Sequence, residues 1–169
     1  MSDIVNRVAN SPLVTLDLEN FYRKENRILF DLKNFLFQGL VIKEKEFRAG
    51  LKSYNWGELK GSLVAVTCTV DAIIPNWAFM LVGTYLGKEN IEYVIGDLND
   101  LEQYLFQREL DKVNAEDFLD KPVVIKGCSK YPVPLFAYGA VLSKLQPVAR
   151  SIMYGEPCST VPLYKAVKK

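Results

Sequence analysis

The sequence predicts an α/β fold, a mostly parallel sheet with crossover helices, to which an N-terminal antiparallel strand pair and a helix are added. Three observations predict it. From Gly61 onward, short β-rich apolar runs alternate with apolar segments long enough for helices, the pattern of parallel strands joined by right-handed crossovers. The runs Leu63–Thr67 and Pro122–Ile125 are apolar at nearly every position, as strands covered on both faces are. Before Gly61, two partly alternating runs flank a polar segment, as an antiparallel pair does.

In order, Asn10-Ser11-Pro12 is a turn signal, and Leu13–Leu18 and Arg27–Leu32 are the two alternating runs. Phe35–Ile42 is ambiguous between a short helix and a strand. Glu44–Tyr54 places Phe47, Leu51 and Tyr54 on one helical face behind a wet, charged start. After the break at Asn55-Trp56-Gly57, Leu63–Thr67 is the first core strand, and Pro75 opens a helix over Asn76–Leu86. Ile91–Ile95 is the second strand. Asp97 is a candidate N-cap for a helix to about Val113, with Leu98, Leu101, Leu105 and Leu110 as its buried stripe. Pro122–Ile125 is the third strand, Pro134 opens an almost wholly apolar helix to about Leu145, and Ala149–Met153 is the fourth strand.

One core suffices for 169 residues. A single domain over 1–169 is therefore expected, with 1–60 as an added layer and 61–169 as the alternating core. The apolar fraction of 49% and charged fraction of 24% are those of an ordinary globular chain. A net charge of +1 supplies no field favouring nucleic acid or membrane. No apolar run approaches the roughly 20 residues of a bilayer span, and Met-Ser-Asp does not open a signal peptide, so a cytoplasmic location is expected. Histidine is absent, which removes Ser-His and Cys-His nucleophile pairs and imidazole ligands. No glycine-rich dinucleotide or P-loop motif occurs. No feature of the sequence settles the oligomeric state.

The three cysteines carry the candidate chemistry. Cys68, Cys128 and Cys158 each follow an apolar run, and the last two sit in Cys-Ser-x-x-Pro motifs. In one parallel sheet the loops after the strands emerge at a common carboxyl edge, where ligand sites gather. Three thiolates without histidine suit zinc, cuprous copper or an iron–sulfur cluster. Asp71, three residues past Cys68, is the candidate fourth ligand, the alternative being a position open to solvent or substrate. Thr69, Ser129 and Ser159 are placed to hydrogen-bond the sulfurs, and Lys126, Lys130 and Arg150 to offset their charge.

The residues Ile4-Val5-Asn6-Arg7-Val8-Ala9, Cys68 through Trp77, Val124-Ile125-Lys126-Gly127-Cys128-Ser129, and Leu145 through Tyr164 resemble an uncharacterised bacterial family, domain of unknown function family 2480. The resemblance covers essentially the whole chain and implies no established activity. It implies partners among the iron–sulfur assembly proteins of the sulfur-mobilisation type.

Three expectations follow. The first is a metal-binding protein, holding zinc or an iron–sulfur cluster through the three cysteines and accessory to iron–sulfur metabolism. The second is a reactive-cysteine enzyme or sulfur carrier, with Cys158 or Cys128 as the nucleophile. The third is a non-catalytic scaffold whose cysteines only pack. Whether the protein is an enzyme stays open.

Overall fold

A computed structural model describes residues 12–127 and 129–167. In chain order the strands are β1 (Val14–Asp17), β2 (Arg27–Asp31), β3 (Leu63–Thr67), β4 (Glu92–Ile95), β5 (Pro122–Lys126), β6 (Ser151–Glu156) and β7 (Ser159–Lys165). The helices are α1 (Glu44–Ser53), α2 (Asn76–Lys88), α3 (Leu98–Asp111) and α4 (Leu135–Leu145). The chain divides into two compact units. Lys24–Tyr104 forms an inserted unit, and the described residues of 1–23 and 105–169 form a flanking unit, so the boundary falls inside α3.

The inserted unit holds a parallel sheet in the order β2-β3-β4. Leu63, Val64, Ala65 and Val66 of β3 are all buried, as a central strand's residues are when both faces are covered. Ala78, Val82 and Leu86 lie on one face of α2 at helical spacing and join Phe30, Phe47, Leu51 and Trp56 in the core. The ring of Trp56 stacks on Phe30 and Tyr85, and its indole N–H donates to the Leu51 carbonyl at 2.8 Å, so this buried donor is satisfied.

The flanking unit holds the sheet β1-β5-β6-β7, in which β1, β5 and β6 are parallel and β7 is antiparallel to β6. Its core takes Ala137, Val141 and Leu145 from α4, Phe106 and Leu110 from α3, and Val123, Ile125 and Ile152 from the strands.

The α/β class, the dominance of parallel strands and the N-terminal strands are as the sequence predicts. The pairing differs in detail. β1 joins β5 and β2 joins β3, and the antiparallel pair is the C-terminal hairpin β6–β7. Phe35–Ile42 is neither helix nor long strand: a 3-10 turn over Leu32–Phe35 leads to a single bridge between Phe37 and Val41. Among the described residues no helix is long and apolar enough to cross a membrane.

The two units are copies of one plan. Asp-Leu-x-Asn-Phe occurs at Asp17–Phe21 and again at Asp31–Phe35, each aspartate ending a strand and capping the 3-10 turn that follows. From α1 onward the correspondence keeps a constant separation of 59 residues: Phe47 and Phe106, Leu51 and Leu110, Val64 and Val123, Pro75 and Pro134, Ala78 and Ala137, Val82 and Val141, Leu86 and Leu145. All of these pairs except the prolines are buried in both copies. Gly96, directly after β4, and Gly155, the last residue but one of β6, stand at corresponding places with φ of 153° and 124°, backbone conformations that a side chain rarely adopts. One copy is continuous and the other is split by it.

Candidate functional site

The expected metal centre is overturned. Among the described residues, no group of three or more His, Cys, Asp or Glu side chains is placed to hold a metal ion. Convergence at one edge requires one sheet, whereas β3 lies in one sheet and β5 and β6 lie in the other. Cys68 follows β3, half-buried, and its thiol donates to the Val70 carbonyl at 3.6 Å. Asp71 is exposed in the same loop. Cys128 lies outside the described residues. Cys158 is exposed at the two-residue tip of the β6–β7 hairpin, where the chain after the fourth predicted strand turns back as β7. The shared local setting of the cysteines also fails on the repeat: 59 residues on from Cys68 stands Gly127, and Cys128 corresponds to Thr69.

The flanking polar residues are placed as follows. Ser159 begins β7 and is exposed, and the Arg150 backbone bonds to Lys121 and Ala166. Lys126 sits between Asp17 and Glu156 at 3.5 Å from each, and the Glu156 charge, followed by that of Asp17, holds its ammonium above the usual lysine value. Ser129 and Lys130 donate their backbone N–H groups to the Glu19 carboxylate. Burial works to raise the Glu19 carboxyl, but these backbone bonds outweigh it and hold the group below the ordinary glutamate value. The corresponding loop of the inserted unit is held by Asp31, the one buried charged residue among those described. Its carboxylate accepts from the Thr69 hydroxyl at 2.5 Å, from the Thr69 N–H at 3.1 Å and from the Lys33 N–H at 3.0 Å. Burial pushes the Asp31 carboxyl up, and these bonds more than reverse the effect. Thr69 therefore works for the fold, anchoring the loop after β3, and among the described residues it makes no bond to sulfur.

The concavity best suited to a ligand lies elsewhere, in the flanking unit. Helix α4 is apolar on two sides. Ala137, Val141 and Leu145 enter the core, while Leu135, Tyr138, Gly139 and Leu142, spaced at i, i+3, i+4 and i+7, form a second stripe. Opposite that stripe, Tyr154 of β6 and the alternate residues Val161 and Leu163 of β7 present a second apolar wall, with Ile125 of β5 between. Together they line a groove of about 520 Å³. Leu135 is 86% exposed, Val161 59% and Leu163 53%, an expensive display of apolar surface for one short helix and one hairpin. Tyr138 and Tyr154 meet edge to face, with ring centroids 5.9 Å apart.

Gly139 makes the space. It stands in the middle of α4, where glycine costs roughly 0.8–1.0 kcal/mol relative to alanine. A Cβ built there meets nothing within 4 Å. The corresponding residue of the inserted unit is Met80, and the corresponding strand β4 leads through Gly96 into α3, with no strand in the place of β7. The groove therefore belongs to one copy of the repeat alone.

No motif in the sequence marks the groove residues as a site. The readable signal was an apolar helix with more apolar faces than one core consumes, interrupted by a glycine. No match was found among curated proteins or among solved structures. The profile of a family described as proteins of unknown function, DUF2480, matches residues 2–166, so the chain belongs to that family.

Proposed function

We propose that this protein is a binding protein for a small apolar molecule, taken up in the groove between α4 and the β6–β7 hairpin. The observation that carries the reading is the second apolar stripe of α4, kept open by Gly139 at a cost in helix stability. A volume of about 520 Å³ falls inside the range of roughly 300–1,000 Å³ that small-molecule sites occupy. The lining is almost wholly aliphatic and aromatic, so binding is driven by removal of apolar surface from water. Among the described residues, no side chain lining the groove is a nucleophile or an acid–base group of the Cys, Asp, Glu or Lys type, which favours binding over catalysis there.

The test is a fluorescence titration of the full chain with the neutral apolar probe N-phenyl-1-naphthylamine. Saturable binding near one probe per chain is expected. Leu135→Asp should abolish it without harming the fold, because Leu135 is the exposed first residue of α4, where an acidic side chain favours the helix. Absence of saturation in the native protein would refute the reading. So would a concentration-dependent dimer that Leu135→Asp dissolves, since the groove would then be occupied by a second copy.

A further inference from the structure

Resting on the groove reading, we infer that the ligand is uncharged, has a flat or unbranched hydrocarbon body, and carries a single hydrogen-bonding group directed at Tyr154. Gly139 selects the body and the Tyr154 hydroxyl selects the head.

The charge follows from the walls. Ile125, Leu135, Leu142, Val161 and Leu163 offer no partner to an ion, and Lys126, the cation next along β5, is already flanked by the carboxylates of Asp17 and Glu156. A carboxylate or ammonium entering the groove would lose its hydration with nothing to replace it. The shape follows from Gly139. Missing only a side chain, it leaves a gap in the α4 wall between Leu135 and Leu142 in which an added Cβ would meet nothing within 4 Å, so a planar ring or a straight chain can lie against the helix there.

The head follows from the tyrosines. The hydroxyl end of Tyr138 is packed where a Cβ on Gly127 would lie 2.9 Å away, so it is committed to the end of β5. Tyr154 is 38% exposed, and among the described residues its hydroxyl takes part in no hydrogen bond within the protein. It is thus available to one hydroxyl or carbonyl of a ligand whose remainder lies along α4.

The experiment displaces N-phenyl-1-naphthylamine from the full chain with two ligands of equal length, 1-decanol and decanoate, at about pH 8, where the carboxylate is ionised. The expected result is displacement by 1-decanol at a concentration lower by about tenfold or more, the least that an unpaired charge in an apolar site should cost. Tyr154→Phe should weaken 1-decanol several-fold and leave the probe unchanged, and Gly139→Leu should remove probe binding while unfolding at a higher temperature than the native protein. Equal displacement by the two ligands, or better displacement by decanoate, would overturn the inference while leaving the groove reading intact. Undiminished probe binding by Gly139→Leu would overturn the role of Gly139. Failure of the native protein to bind the probe would overturn the groove reading, and this inference with it.

Discussion

Replacing Gly139 by alanine should make the protein more stable and a poorer binder at once. Gly139 lies inside α4, two residues from the buried Ala137 and Val141 and facing away from the core they enter. Alanine at a helix interior is favoured over glycine by about 0.8–1.0 kcal/mol. No overpacking offsets that gain, because the added Cβ meets no atom within 4 Å. For a chain of this size, about 1 kcal/mol raises the melting temperature by roughly 2–4 °C. The same methyl group occupies the groove, and one methyl in an apolar pocket changes affinity by about tenfold at the low end. Thermal unfolding and probe titration on the same samples read both effects. A lower melting temperature would show that the space beside Gly139 is not open. A higher one with unchanged probe affinity would show that the groove is not where the probe binds.

The opposite sign is expected at Gly83 of α2, where an added Cβ would fall on the Tyr93 hydroxyl and within 2.8 Å of its ring carbon Cζ; overpacking costs typically 1–3 kcal/mol, so Gly83→Ala should lower stability by about 1 kcal/mol net, and a stabilised variant would refute this. Leu86→Ala and Leu145→Ala occupy matching, fully buried places in the two copies and should each cost about 2–5 kcal/mol, with the loss of hydrogen-exchange protection centred on the inserted unit for the first and the flanking unit for the second. A cost below about 1 kcal/mol at either site would deny the equivalence of the copies. The Asp31 carboxyl is held below its ordinary 3.8, so its contribution to stability is complete above that value and is lost as pH falls through the folded-state value. Asp31→Asn should therefore destabilise at neutral pH by about 1.5–3 kcal/mol, the range for a hydrogen bond to a charged group, and the gap to the native protein should close under acid unfolding; a gap independent of pH would refute the assignment.

The groove and the cysteine loops show how far local reading reaches. Leu63–Thr67, Asn76–Leu86 and the apolar helix after Pro134 are legible because burial on one or both faces imposes a period on the sequence itself. The repeat is equally written there, in the two Asp-Leu-x-Asn-Phe segments and the 59-residue offset, but one copy is split by the other, so the first motifs lie 14 residues apart and the rest 59. The cysteine reading failed at one step, the assumption that strands of similar pattern share one sheet. β-rich runs are alike in sequence whichever neighbour they pair with.

What the sequence determined by itself is therefore the α/β class, the position of nearly every strand and helix, and the polar capping at Asp97, because each depends on residues within a few positions of one another. Only the tertiary structure decided that β1 pairs with β5 and β2 with β3, that the chain after β6 folds back as β7, and that Gly139 faces Val161 and Leu163 across an open groove. These are long-range pairings, and a missing side chain becomes a binding site only when a distant segment supplies the opposite wall.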